Sequence, residues 1–276
     1  MMFRRFFWIV GVVVLLSGCV QGTLAPTAEI PDSLGGRITF AGSTTVQPLA
    51  DKIGQAFTQQ HPYVTLDIAA GGSKVGIQAI HDGTTDIGMA SRDLDAEEAA
   101  GIEQHQIAVD VIAVVVHASN PIEDLTLAQL QDIYMGKVVN WTELGGPDAP
   151  IVAVVREENS GTRGAFDEIV LDKQEPQAPE MEKALTAGDM AAIVADNPAA
   201  IGYVGFGNLE AGLKTVAIEG VGPSAEAARD GSYRLVRPLL LLTGPLSQPL
   251  ADTFIEFATS PEGQAVVEAN GWVSVK

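Results

Sequence analysis

The chain runs to 276 residues, with 35 acidic against 16 basic side chains, a formal net charge of −19 at neutral pH, 46% hydrophobic residues and a single cysteine. A field of that sign repels polyanions and excludes a basic nucleic-acid surface, and one cysteine excludes an intrachain disulfide. A small anion site is not excluded, because salt screens remote charges within about 8 Å and local donors then decide what binds.

At the start of the chain, Arg4 and Arg5 precede an apolar run from Phe6 to Leu16, and Leu16-Ser17-Gly18-Cys19 follows. A basic region, an apolar stretch too short to span a bilayer and small residues before a cleavage point make a secretory signal over residues 1–18, set aside from fold reasoning. Residues 19–36 are rich in Pro, Gly, Thr and Ser without apolar periodicity and read as a flexible tether. The globular part is expected from residue 37 to 276.

Arg37–Phe40 reads as a strand ending at Ala41-Gly42, and Ser43-Thr44-Thr45 as the opening of a helix to about Gln60, with Leu49, Ile53 and Phe57 on one face. Tyr63 to Ile68 alternates as a strand, Gly71-Gly72-Ser73 punctuates, and Val75 to Ile80 is helical. Asp86 to Ala90 is a short buried strand, after which Ser91 and Asp93 are expected to cap a helix through Glu97 and Glu98. The Val/Ile-rich run from Ile107 to His117 predicts a strand buried on both faces. Thr126 opens a helix through Tyr134, Ile151 to Val155 is a strand, and Ser160 begins a helix through Val170. Ala200–Val204 and Thr215–Ile218 are strands, Leu235–Leu242 is a second long apolar strand, and Pro249–Thr259 is helical.

Strands alternating with helices imply an α/β protein with mixed, mostly parallel sheets and helices on both faces. The two long apolar strands suggest a chain that crosses into a second lobe and returns. Residues 37–115 with 236–276 would then form lobe 1, and residues 116–235 lobe 2. Ligands of open α/β sheets sit outside the carboxyl ends of the strands, which places a site between the lobes.

Four segments share one pattern: a strand, then Gly or small residues, then Ser or Thr, often at a helix start. They are Ala41-Gly42-Ser43-Thr44-Thr45, Gly71-Gly72-Ser73, Met89-Ala90-Ser91-Arg92, and the stretch from Arg156 through Ser160-Gly161-Thr162 to Arg163. Helix N-termini offer free N–H groups, hydroxyls add donors without charge, and glycine lets the backbone approach closely. One such start is an ordinary N-cap. Several converging make a tetrahedral-anion site, to which Arg156 adds a charge-assisted bond. Arg92 and Arg163 read equally as binding groups or as internal ion pairs. No serine lies in a Gly-x-Ser-x-Gly elbow, and His61, His81, His105 and His117 lack metal-ligand spacing, so neither catalytic residues nor a metal or cofactor are expected.

The run Ala41 to Leu49 resembles the opening motif of the phosphate-binding subunits of bacterial phosphate ABC importers. Gly72-Ser73, Thr85 to Arg92, Asp132 to Lys137 with Trp141, Val154 to Thr162 and Ala200 to Val204 resemble further family passages in the same order. The resemblance implies a two-lobed, type II periplasmic-binding-protein fold. It assigns phosphate binding to Ser43, Thr44, Thr45, Ser73, Ser91, Arg156, Ser160, Gly161 and Thr162. Ser91 stands where the family often carries an aspartate that accepts the phosphate proton. Asp93 or Glu158 is the substitute acceptor, and Arg92 and Arg163 belong to the surrounding layer. The expected function is capture of inorganic phosphate and delivery to an ABC permease by a monomer. The alternatives are another oxyanion (sulfate, molybdate or tungstate), a sensor on the same fold, and a secreted phosphatase or esterase. Leu16 to Cys19 resembles a bacterial lipobox, which implies export and a lipid anchor on Cys19, at the outer face of the cell membrane or in the periplasm.

Overall fold

The computed structural model describes residues 34–275. The expected signal, Cys19 and the tether up to residue 33 lie outside the described residues. The last tether residues are strand instead: β1 (Gly35–Gly42) begins early because Gly35 and Gly36 pair in parallel with Tyr63 and Val64 of β2 (Tyr63–Ala70).

After β1 comes α1 (Gln47–Gln60), which buries Leu49, Ile53 and Phe57 as its periodicity predicts. It starts later than expected. The Ser43 hydroxyl accepts from the Thr45 and Val46 amides and holds residues 43–46 as a separate turn. α2 (Ser73–His81) and β3 (Ile87–Ala90) follow, and β3 pairs in parallel with β1. The helix expected after Ser91 does not form. Residues 96–101 are turns, with the Asp95 carboxylate accepting from the Glu97 and Glu98 amides while the Glu98 carboxylate is drawn off to Arg92.

β4 (Glu103–His117) and β10 (Val236–Thr243) are the two long apolar strands. They run antiparallel, Val236 against Val111 and Thr243 against Glu103, and β10 also pairs antiparallel with β3. Their burial on both faces therefore comes not from a parallel sheet but from a central position in a mixed one. The first half of β4 pairs with β10. The second half, Ile112 to His117, pairs antiparallel with β8 (Ala200–Gly205) and β9 (Leu213–Ile218). β6 (Val152–Arg156) lies parallel to β8 and to β7 (Met181–Ala184), and β5 (Asp124–Leu125) parallel to β9. The main strand order is β2-β1-β3-β10-β4-β8-β6-β7.

Among the described residues, the two largest hydrophobic cores sit along this sheet, with a small third cluster of Ile77, Ile80, Ala90, Leu240 and Leu242 beside α2. One joins Ile38, Phe40, Leu49, Phe57, Ile107, Leu239 and Leu241 with Phe254 and Ala258 of α7 (Pro249–Thr259) and Val267 of α8 (Pro261–Ala269). The other gathers Val111 to Val116 with Leu130, Ile133 and Tyr134 of α3 (Leu127–Tyr134), Phe166 of α4 (Gly161–Val170), Met190 and Val194 of α5 (Ala187–Asp196), and Ala227 of α6 (Ala225–Arg229). Each core is the centre of one lobe, and β4 passes from one core to the other.

A buried ion pair marks the crossover. The Asp110 carboxylate accepts from Arg237 Nε and Nη2 at 3.1 and 2.7 Å on β10, and from the Phe206 amide at 3.1 Å just after β8. Near it, Trp272 of the C-terminal tail belongs to the first core, and its ring lies against Gly207, where a Cβ would come within 2.0 Å of Cζ2.

Candidate functional site

Each small-residue turn ends a strand at the same edge of the two lobes. β1 delivers Ser43, Thr44 and Thr45; the β2–α2 turn delivers Ser73; β3 delivers Ser91; and β6 delivers Arg156, with Ser160, Gly161 and Thr162 opening α4. The structure brings all nine residues together along one seam between the lobes.

On the first lobe the hydroxyls form a buried chain. Ser43 Oγ donates to Ser91 Oγ at 2.9 Å, the Ser91 amide donates to Ser73 Oγ at 3.1 Å, and Ser73 and Ser91 Oγ lie 3.4 Å apart. Ser73 and Ser91 are fully enclosed, each with 0% exposure. Gly42, at φ +136°, permits this packing, since a Cβ there would meet the Met89 carbonyl oxygen at 2.3 Å.

The second lobe meets this chain directly. Thr162 Oγ1 is 3.0 Å from Thr45 Oγ1, and a Cβ on Gly161 would fall 2.0 Å from Ser73 Oγ and 2.7 Å from Ser91 Oγ. Ser160 caps α4, its Oγ accepting from the Arg163 amide. The amides of Gly161 and Thr162 belong to the first turn of α4, where N–H groups lack intrahelical acceptors.

Arg156 is 1% exposed. Its Nε donates to the Ala184 carbonyl at 3.3 Å, and its Nη2 donates to the Leu185 carbonyl at 3.2 Å and to Thr44 Oγ1 at 3.3 Å on the other lobe. All these acceptors are neutral. Burial lowers the guanidinium pKa, and only the more distant fields of Tyr203, Glu157 and Asp189 act to restore it. A guanidinium stays charged in proteins, so Arg156 is an enclosed cation without a directly bound counter-charge among the described residues.

Its placement is braced from behind. The Arg156 amide donates to the Tyr203 hydroxyl at 3.2 Å, and the Tyr203 ring stacks on Phe166 of α4 with centroids 4.0 Å apart. Arg163 Nη1 donates to the Arg156 carbonyl at 3.2 Å. The rest of the Arg163 guanidinium is held by Asp167 at 3.2 Å and by Glu175, so Arg163 is an internal ion-pair residue. Arg92 is likewise engaged, with both terminal nitrogens on Glu98 at 2.6 Å. Asp93 and Glu158 are exposed and line a cavity of about 460 Å³ at one mouth of the seam, shared with Lys74, Arg92 and Glu175. That position takes both carboxylates out of the enclosed hydroxyl chain. A second cavity of about 510 Å³, bordered by Thr44, Gly71, Leu185 and Asn208, opens at another mouth.

Sequence reasoning missed two residues here. Tyr203 read as a strand residue inside a family-like passage with no role of its own, although aromatic rings in a small-residue strand hint at a packing role. Asn159 stood inside the stretch from Arg156 to Ser160 without a role of its own, yet its Nδ2 donates across the seam to the Gly71 carbonyl at 2.9 Å.

Comparison with known proteins places this geometry in context. A model of the PBP superfamily domain matches residues 25–262. The chain is 32% identical over 256 residues to the phosphate-binding protein PstS of Bacillus subtilis, covering 90% of this chain and 84% of that one. Among solved structures it is similar to one from Clostridium perfringens, named as a phosphate ABC transporter substrate-binding protein and holding bound phosphate. The TM-score is 0.82 and the identity 39%, over 87% of this chain and all of that one. An ABC-type phosphate transport receptor from Vibrio cholerae superposes with a TM-score of 0.72 at 30% identity, with the same coverage.

Proposed function

We propose, because this chain belongs to the PstS family of phosphate-binding proteins within the PBP superfamily, that it captures inorganic phosphate between its lobes outside the cytoplasm and delivers it to an ABC permease. The observation that carries the reading is Arg156, a buried cation whose hydrogen bonds all go to neutral oxygens while donors from both lobes converge beside it. A tetrahedral anion supplies the missing counter-charge. It takes hydrogen bonds from the hydroxyls of Ser43, Thr44, Thr45, Ser73, Ser91, Ser160 and Thr162 and from the first amides of α4.

The protein works by binding and lobe closure rather than by covalent chemistry. Each hydroxyl serves as a donor or cap, and the chain acts as an exported monomer anchored through a lipid on Cys19. Ser91 is the group that meets the phosphate proton. A hydroxyl both donates and accepts, so it rejects fully ionised sulfate less strongly than a carboxylate does.

Isothermal titration of the full chain with phosphate, and in competition with sulfate, tests this reading. Arg156→Ala is expected to weaken phosphate binding at least thirtyfold, the equivalent of about 2 kcal/mol for truncating a buried charged partner. Unchanged affinity in the variant, or a wild-type chain that prefers sulfate, overturns it.

A further inference from the structure

Helix α2 begins without a cap of its own. Gly72 is its N-cap and has no side chain to offer. The Val75 and Gly76 amides turn back to the Gly72 carbonyl, but the Lys74 amide donates to the carbonyl of Asn159, on the other lobe, at 3.2 Å. Helix-start N–H groups need an acceptor from outside the helix, and here it comes from across the cleft.

Asn159 makes a second contact at the same place, through Nδ2 to the Gly71 carbonyl. Its Oδ1 is buried without a hydrogen-bond partner among the described residues, beside the bare Cα of Gly72. A Cβ on Gly72 would stand 2.7 Å from the Asn159 carbonyl oxygen and 3.0 Å from Oδ1. Gly72, at φ +98°, is therefore a socket for Asn159. These contacts join backbone to loop at the rim and use none of the seam hydroxyls. They are still linked to the site, because Asn159 directly precedes Ser160 and the helix it caps begins with Ser73.

We propose that Asn159 is the latch of the closed state: it caps α2 from the opposite lobe and thereby sets how long the cleft stays shut on its ligand. This rests on the reading of a cleft that closes on phosphate. Opening removes the cap from the turn that carries Ser73, so unlatching and loosening of the site are one event. Asn159 is a positioning residue in this scheme and contributes to dwell time rather than to encounter.

The test uses the full chain in four forms: wild type, Asn159→Ala, Asn159→Asp and Gly72→Ala. Rapid filtration with radiolabelled inorganic phosphate gives the rate constants. Asn159→Ala is expected to speed dissociation roughly three- to tenfold, as for loss of one neutral hydrogen bond, with association unchanged within about twofold. Asn159→Asp, which sets a carboxylate oxygen against the Gly71 carbonyl, dissociates faster still, as does Gly72→Ala, whose methyl fills the socket. Hydrogen–deuterium exchange of the Lys74 amide, read with no phosphate present, is expected to accelerate in all three variants. A dissociation rate and Lys74 exchange that match wild type in Asn159→Asp overturn the latch. A wild-type chain that binds no phosphate overturns the function instead, and the exchange measurement then judges the latch alone.

Discussion

Gly161 shows how narrowly single residues constrain the seam. It is helical, so alanine suits its backbone and gains up to about 1 kcal/mol of helix propensity. Yet the added methyl would collide with Ser73 Oγ and crowd Ser91 Oγ. Gly161→Ala is therefore expected to hold the seam apart and to lower phosphate affinity at least about tenfold, the order of one overpacked methyl, which isothermal titration reads. Asp167 offers a second test. Burial pushes its carboxyl up to about 6 despite the nearby Arg163 guanidinium. A carboxyl raised in the folded state binds a proton there before it does in the unfolded chain, so its contribution to stability grows as pH falls from about 7 towards 4. The melting-temperature difference, wild type minus Asp167→Asn, should rise over that interval, and a flat difference contradicts the assignment. The grouping of hydroxyl-bearing turns was legible in the sequence, because a Gly-Ser or Ser-Gly-Thr at a strand–helix junction is a local pattern. Asn159 was not, since its meaning depends on Gly71, 88 positions away.

At the scale of elements, legibility followed side-chain periodicity. The apolar face of α1 and the runs of β4 and β10 announce themselves because burial is continuous along them. The capping box of α3, with Thr126 and Gln129 exchanging hydrogen bonds, is equally local. β7 escaped notice because three of its four side chains are exposed and it is held by backbone pairing to β6. α5 was missed although Thr186 and Asp189 form a capping box, since its Ala-rich sequence gives a weak apolar stripe. The helix expected over residues 93–98 failed for an electrostatic reason: Arg92 claims both oxygens of Glu98, and Asp95 closes a turn on itself. Direction was the other thing hidden. Apolar content marked β4 as central but did not reveal that all three strands paired with it, β10, β8 and β9, run against it, which only the crossover between lobes explains.

Across the whole molecule, the Asp110–Arg237 pair is the strut of that crossover. It binds β4 to β10 and, through the Phe206 amide, to the end of β8. Removing one partner of an enclosed ion pair is destabilising by about 3–5 kcal/mol, whereas replacing both by apolar groups of similar volume is close to neutral. Urea denaturation of Asp110→Asn should show a loss of that order, and Asp110→Leu combined with Arg237→Met should recover most of it. Equal losses in both variants would mean the pair shapes the junction by more than its charge. The same junction has an optical consequence. The indole N–H of Trp141 is tied to the Ala199 carbonyl within its own lobe and travels with it, while Trp272 rests its ring on Gly207 with its own N–H buried and unpartnered. Separation of the lobes admits water to the second indole and leaves the first dry, so a red shift in native emission becomes an unlabelled gauge of how far the jaws have parted.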